Sequence, residues 1–137
     1  MKARTQHKWI RGFTLVELLV VVMVIGILAS LAIARFANFR DKSHVAAATY
    51  DLDLVRKLLA YYAADWNGYP DNVASYNDLQ NQLVDADGHS YGELPLSNTF
   101  EFVSYNLDVN GDYAVRVRAA DNGNTILVAT PEVIERE

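Results

Sequence analysis

The stretch Gly12-Phe13-Thr14-Leu15-Val16-Glu17, followed by the apolar run Leu18–Ala34, decides the fold of this chain. The run contains no charged residue, and at about 1.5 Å of helical rise per residue it reaches about 25 Å, close to the hydrocarbon thickness of a bilayer. Such a run is typical of a membrane-spanning helix. Glu17 is the anomaly, because an unpaired carboxylate at membrane depth costs about 2.5 kcal/mol or more. We therefore expect Glu17 to have a functional role and a positively charged partner.

The charged residues outside this run are unevenly distributed, with basic residues at the N-terminus and mostly acidic residues in the C-terminal half. Residues 65–137 contain 13 acids and three arginines, whereas residues 1–12 contain four basic residues and no acid. The four basic residues are Lys2, Arg4, Lys8 and Arg11. By the positive-inside rule, the basic leader stays in the cytoplasm and the acidic part crosses the membrane. The acidity also argues against a general nucleic-acid surface.

Length and composition limit the possible functions. The chain has 137 residues and no cysteine, which excludes a disulfide framework and a thiolate metal site. Without the leader and the apolar run, about 100 residues remain for a small core, which leaves no room for a large enzyme.

An ordinary secretory signal is one interpretation of the N-terminus. Ala32-Ile33-Ala34 would then be the cleavage site before Arg35. The apolar run is longer than the usual 7 to 15 residues of a signal, Glu17 would have no role in it, and the helical pattern continues across Arg35. These features favour a span that stays attached.

The segment from Gly12 to Glu17 resembles the processing motif of type IV prepilins and type II secretion pseudopilins. The resemblance implies that a prepilin peptidase cleaves between Gly12 and Phe13 and methylates the new amino terminus of Phe13. It also implies that Glu17 of an incoming subunit neutralises the amino group of a neighbour in a homo-oligomeric helical filament. At about 4 Å and an effective dielectric constant near 20, such a pair is worth about 4 kcal/mol before desolvation.

The resemblance implies a structural subunit and not an enzyme, inserted in the inner membrane before the pilus or secretion machinery assembles it. A type IV pilus, a surface fimbrium with roles such as cell adhesion, is the first hypothesis. A periplasmic pseudopilus of type II secretion is the alternative, supported by the absence of the C-terminal disulfide loop common among pilins. A secreted protein released after Ala34 is the third hypothesis.

Beyond Arg35 the helical pattern becomes amphipathic. We expect one broad apolar face formed by two rows of residues, and a helix from near Phe13 to about Trp66 that ends at Asn67-Gly68. The rows are Ala47, Tyr50, Leu54, Leu58 and Tyr61, and Ala48, Leu52, Val55, Leu59 and Tyr62.

After the helix the sequence predicts a long loop and then a small sheet. A helical turn is expected at Ser75–Leu83, and the strands are expected at Thr99–Leu107, Asp112–Ala119 and Asn124–Ala129. Asn110-Gly111 and Asn122-Gly123 favour tight hairpin turns between them. The sheet is expected to end at Val128-Ala129-Thr130-Pro131, and the tail to Glu137 is too charged for the core.

The predicted fold class is therefore α+β and pilin-like, with a long N-terminal helix packed on a three- to four-stranded antiparallel sheet. The predicted division is a leader at 1–12, a membrane and filament-core half-helix at 13–34, an amphipathic half-helix at 35–67, an αβ loop at 68–98, and the sheet with its tail at 99–137.

Many type IV pilins have a proline about eight residues after the glycine that corresponds to Gly26, and their helix loosens there in the fibre. This sequence has Ala34 at that place. Loosening between Gly26 and Ala34 is therefore in doubt, because glycine costs about 1 kcal/mol in a helix whereas proline also removes a hydrogen bond.

The sequence predicts no catalytic, cofactor or metal site. His7, His44 and His89 lack metal-ligand spacing and are interpreted as polar surface residues. Asp108, Asn110 and Asp112 alternate like the start of a calcium loop. The bidentate acid expected downstream is missing, so a plain hairpin turn is favoured.

Overall fold

The computed structural model describes residues 12–71, 73–95 and 98–137. The predictions for residues 1–11, including the basic leader and His7, lie outside these ranges, as does the side chain of Ala34. The chain divides into two units, Met1–Ala37 and Asn38–Glu137, the second of which is called the head. The elements are α1 (Leu15–Trp66), α2 (Tyr76–Gln82), β1 (Phe100–Leu107), β2 (Tyr113–Ala119), β3 (Ile126–Ala129) and β4 (Ile134–Arg136). The predicted long helix and α+β class are confirmed.

The apolar part of α1 is long enough and apolar enough to cross a membrane, and none of its described side chains is buried within the chain. Its one polar side chain, Ser30, donates its hydroxyl to the carbonyl of Ile27 at 2.7 Å. α1 is continuous through residues 26–34, and a Cβ added at Gly26 would meet nothing within 4 Å. The chain's own packing therefore does not require glycine at this position. A helix that is apolar on all sides must be covered by lipid or by other helices.

The core of the head joins one face of α1 to the sheet and to parts of the loop. Ala48, Leu52, Val55 and Leu59 of the second predicted row are fully buried. The first row is different, because Tyr50 is 75% exposed and Tyr61 is 60% exposed. The predicted apolar face is therefore only partly covered, because Leu58 of the first row is buried in the core whereas Tyr50 and Tyr61 are exposed. A helix packed on one sheet buries a stripe of its surface, and these side chains lie beside that stripe.

The sheet has the strand order β1-β2-β3-β4, and all of its pairs are antiparallel. On β2, Tyr113, Val115, Val117 and Ala119 are buried, as the alternation predicts. On the outer side of this strand, Arg116 pairs with Glu137 at 3.2 Å, and Arg118 pairs with Glu101 at 2.6 Å.

Of the two predicted hairpin turns, the first forms as expected and the second is longer. At the first turn, Gly111 has φ +87° and donates its N–H to the carbonyl of Asp108 at 3.1 Å. At the second, Asn124 and not Gly123 has positive φ, at 50°. A Cβ at Gly123 would lie 2.9 Å from the Asp121 carboxylate. The Asp121 carboxylate accepts hydrogen bonds from the N–H and the hydroxyl of Thr125. Glycine at position 123 leaves room for this carboxylate beside the backbone.

The predicted end of the sheet at Thr130-Pro131 was wrong. The chain turns there, with the N–H of Thr130 donating to the carbonyl of Val133 at 2.9 Å, and returns as the edge strand β4. Ile134 is half-buried, and the charged residues after it are exposed. An edge strand is held by backbone hydrogen bonds, so a charged sequence is compatible with it.

The segment between α1 and β1 contributes to the core more than its polar sequence indicates. The predicted helical turn is confirmed as α2, capped by Ser75, whose hydroxyl accepts the N–H of Asp78 at 3.1 Å. Val73, Leu79, Leu83 and Leu94 are buried in the same core as α1 and the sheet. This packing holds the segment between α1 and β1 against the helix and the sheet.

Three polar contacts tie α1 to the sheet within the head. Asp51 accepts the Thr99 hydroxyl at the start of β1, and Asp41 accepts the side-chain N–H of Asn122 at 3.0 Å. The guanidinium of Arg56 donates to the carbonyls of Thr130 and Pro131, at 2.9 and 2.8 Å. Arg56 also lies 3.3 Å from Asp53, a carboxylate that it shares with Lys57.

Tyr105 and Tyr76 allow a matched test of the core. The Tyr105 hydroxyl is buried and makes no hydrogen bond within the described residues, whereas the Tyr76 hydroxyl donates to the carbonyl of Pro95 at 3.0 Å. Burial raises the pKa of both phenols. We expect Tyr105→Phe to raise the free energy of unfolding by up to about 1 kcal/mol, and Tyr76→Phe to lower it by about 1 kcal/mol. Urea unfolding of the full chain in detergent, followed by near-UV circular dichroism, measures both. Equal destabilisation by the two changes would contradict the assignment of Tyr105 as unpaired.

Candidate assembly site at the start of the first helix

Thr14 and Glu17 together close the first turn of α1. The N–H of Glu17 donates to the Thr14 hydroxyl oxygen at 3.2 Å, and the N–H of Thr14 donates to Glu17 Oε2 at 3.2 Å. The Thr14 hydroxyl also donates to the same carboxylate oxygen at 3.1 Å. This arrangement is a capping box, which satisfies two N–H groups that a helix start otherwise leaves unpaired.

The capping box uses only part of the Glu17 carboxylate. Within the described residues, Oε1 of Glu17 accepts no hydrogen bond, and no cation forms an ion pair with this side chain. The helix dipole favours an anion at this position but supplies only about 0.3 to 1 kcal/mol. The described part of the chain thus satisfies one carboxylate oxygen and leaves the other available to a donor from elsewhere.

Gly12 and Phe13 lie before the helix and are exposed. Phe13 is 77% exposed, and a Cβ added at Gly12 would meet nothing within 4 Å. Within the described residues, no neighbouring atom therefore requires glycine at position 12.

The sequence interpretation missed the role of Thr14. The signal was present, because Thr14-Leu15-Val16-Glu17 has the spacing of a capping box directly before an apolar run.

The calcium-like alternation at Asp108, Asn110 and Asp112 forms the β1–β2 turn. Oδ1 of Asp108 accepts the N–H groups of Asn110 and Asp112, at 2.8 and 2.9 Å. These hydrogen bonds, that from Asp112 foremost, lower the pKa of Asp108. The favoured interpretation as a hairpin turn is confirmed by this geometry.

A second group of polar side chains was not anticipated. Ligand atoms of Asp85, Asp87 and His89 lie within 4.8 Å of one another. Oδ1 of Asp85 accepts the N–H groups of Asp87 and His89, at 2.9 and 2.8 Å, so this carboxylate also organises a tight turn. His44 is half-buried on α1 and lies apart from this group in the sequence.

Replacement of Thr14 tests the capping box. We expect Thr14→Ala to weaken the helix start by about 1 kcal/mol, because the hydroxyl that accepts the Glu17 N–H is lost, whereas Thr14→Ser retains it. Amide hydrogen exchange of the full chain in detergent micelles should accelerate severalfold at Glu17 in Thr14→Ala and remain unchanged at Leu31. Unchanged exchange at Glu17 in Thr14→Ala would show that the hydroxyl does not cap the helix.

Comparison with known proteins places these features in a family. The model of the prokaryotic N-terminal methylation motif matches residues 10–33. A type II secretion system core protein G from Aeromonas hydrophila is 34% identical over 71 residues, which are 52% of this chain and 50% of that protein. The type IV major pilin protein PilA of Myxococcus xanthus is 37% identical over 84 residues, which are 60% of this chain and 35% of that protein.

One relative is matched over nearly its whole length. The type II secretion system core protein G of Pseudomonas aeruginosa is 35% identical over 138 aligned positions, which cover 87% of this chain and 97% of that protein. No solved structure matches the chain significantly. The motif, the apolar helix, the head fold and this full-length similarity agree with one another. The chain therefore belongs to the family of type IV pilins and type II secretion pseudopilins.

Proposed function

We propose that this chain is a structural subunit of a type IV pilus filament and not an enzyme. The observation that supports the proposal most directly is Glu17, a carboxylate at the start of an exposed apolar helix whose partner is not among the described residues. The subunit is stored in the inner membrane through its apolar helix and then joins a homo-oligomeric helical filament, with its acidic head outward.

Processing precedes assembly in this proposal. A prepilin peptidase cleaves between Gly12 and Phe13 and methylates the amino group of Phe13. The match to the methylation-motif model over residues 10–33 supports this step. The open surroundings of Gly12 support it as well, because a residue that the chain's own packing does not require to be glycine is compatible with selection by a processing enzyme.

Assembly then depends on charge neutralisation. Glu17 of an incoming subunit pairs with the amino group of Phe13 of a neighbour, a contact worth about 4 kcal/mol before desolvation. The capping box lies entirely after the cleavage site, so it persists in the mature chain. One carboxylate oxygen of Glu17 then serves the helix cap, and the other is available to the amine.

A pseudopilin of a type II secretion system is the alternative. The relative matched over 97% of its length is named type II secretion system core protein G, whereas the PilA match covers 35% of the pilin. Deletion of the gene distinguishes the two functions. Loss of fibres that can be sheared from whole cells would indicate a pilus, and loss of secreted proteins would indicate a pseudopilus.

Intact mass of the chain purified from membranes tests the processing step. We expect a mature chain that begins at Phe13 and carries one added methyl group. Mutation of Gly12 to a bulkier residue should leave the uncleaved precursor. A mature chain that begins at Arg35 would instead indicate an ordinary secreted protein.

Glu17→Gln separates the charge of this residue from its capping role, because glutamine still accepts the Thr14 N–H. We expect fibre yield to fall by about tenfold or more, since the ion pair is lost while the helix start is retained. Thr14→Ala is the matched control, because it weakens the cap and keeps the charge, and it should retain fibres. The measurement is immunoblotting of the sheared fraction from cells that lack every other copy of the subunit. Normal fibre yield in Glu17→Gln would contradict the proposed assembly role.

A further inference from the structure

One face of α1 in the head is apolar, exposed and uncovered by the described residues. We call Tyr50, Leu54 and Tyr61 the outer row; their side chains are 75%, 38% and 60% exposed. Arg40 lies before the row and Asp65 lies after it on the same helix. At about 100° per residue, positions 25 apart differ by only about 20° around a helix, so Arg40 and Asp65 lie on the same face. At the same spacing, Tyr50, Leu54 and Tyr61 lie about 40° to 80° around the helix from Arg40. The outer row is therefore flanked by a cation near one end and by an anion near the other.

The anionic end of this face opens into a pocket. The acidic pocket, formed by Asp65, Trp66, Asp85 and Asp87 with Ala64 and Ala86, has a volume of about 470 Å³. Trp66 is 49% exposed, and its ring stacks on Tyr62 with 5.9 Å between the ring centroids. An indole beside carboxylates is a favourable environment for a guanidinium or an ammonium group.

Hydrogen bonds hold the side chains of this pocket in place, and none of the described residues supplies a buried cation there. Trp66 Nε1 donates to the carbonyl of Val84 at 3.1 Å, and the Tyr91 hydroxyl donates to Asp65 Oδ2 at 2.6 Å. Backbone N–H groups, that of His89 foremost, lower the pKa of Asp85 and keep its carboxylate ionised. The pocket is preorganised and anionic, and among the described residues His89, at 3.5 Å from Asp85, is the one basic side chain that pairs with its carboxylates.

Most cations of the head already have acidic partners. Lys57 and Arg56 pair with Asp53, Arg116 pairs with Glu137, and Arg118 pairs with Glu101. Among the described residues, Arg40 is exposed and forms no such pair. Lys42 is also exposed and unpaired, but two positions further along a helix it points about 200° away from Arg40. Arg40 is thus the available cation on the face of the outer row.

We propose that Arg40 of one copy of this chain docks into the acidic pocket of a second copy, and that the outer row of the second copy is thereby covered by the apolar helix of the first. This inference rests on the proposed filament and defines one contact within it. The 25 positions between Arg40 and Asp65 set the register and imply an axial shift of about 38 Å between the two copies. In this register Tyr61 of one copy meets Phe36 of the other, and Leu54 meets Ala29.

Charge exchange tests the docking in the full chain, expressed in cells without another copy. We expect Arg40→Glu to lower the yield of sheared fibres severalfold, and Arg40→Glu combined with Asp65→Arg to restore it. Lys42→Glu makes the same change in charge on another side of the helix and should retain the wild-type yield. These positions are exposed, so the amount of each variant in the membrane should equal that of the wild type. The docking is overturned if Arg40→Glu has no effect, if Lys42→Glu is as damaging, or if the exchange fails to restore fibres.

Crosslinking provides a second readout that leaves the charges intact. The chain has no cysteine, so the variant Ser43→Cys with Ala86→Cys carries one thiol near Arg40 and one in the acidic pocket. A short bismaleimide should link its fibres into a ladder of multimers. Ser43→Cys with Val109→Cys, whose second thiol lies at the fully exposed β1–β2 turn, should give no ladder. Absence of the ladder in the first variant, or linkage to another protein in place of a second copy, would overturn the docking.

Absence of wild-type fibres would contradict the proposed function itself. That result differs from the formation of fibres that lack this contact, which would contradict the docking alone.

Discussion

A single carboxylate at the start of an otherwise apolar helix is the constraint on which the rest of this molecule depends. Glu17 is tolerable in the isolated chain because it is close to the helix start and closes a capping box with Thr14. That local solution satisfies hydrogen bonds and leaves the negative charge without a counter-ion in the described residues. A carboxylate that has hydrogen bonds but no counter-ion in the monomer favours association with a molecule that supplies a cation in the right register. The same side chain therefore caps the helix in the isolated chain and, in the filament that we propose, favours the assembled state.

The head has a complementary organisation. One stripe of α1 is buried against the sheet and the loop, and Arg56, Asp51 and Asp41 bind the ends of the strands to the helix. This packing fixes which side chains of α1 remain outside. The outer row stays exposed, and the acidic pocket forms at its end, because the sheet and the loop cover only one stripe of α1. The head thus carries a second apolar surface besides the N-terminal span, and in the filament that we propose other copies of the chain cover both.

Several features could be predicted from the sequence because they depend on local pattern. The length of α1, the cap at Ser75, the alternation along β2 and the first hairpin turn each follow from residue spacing. The errors occurred where tertiary contacts decide. Asn124 takes the positive φ in the second turn because Asp121 and Thr125 bond across it, leaving Gly123 to provide space. Strand β4 forms from a charged tail because β3 presents a free edge.

The sequence by itself determined the span, the charge at its start, the processing motif and the α+β order of elements, since each is encoded by residues close together in the chain. Only the tertiary structure decided which side chains of the two apolar rows of α1 are covered, that loop residues such as Leu79 and Leu94 enter the core, and that Asp65, Asp85 and Asp87 surround an exposed indole. Those outcomes depend on contacts between segments far apart in sequence. Helical spacing shows that two rows of α1 are apolar, but the area that the sheet and loop can cover determines which of their side chains stay exposed to another molecule.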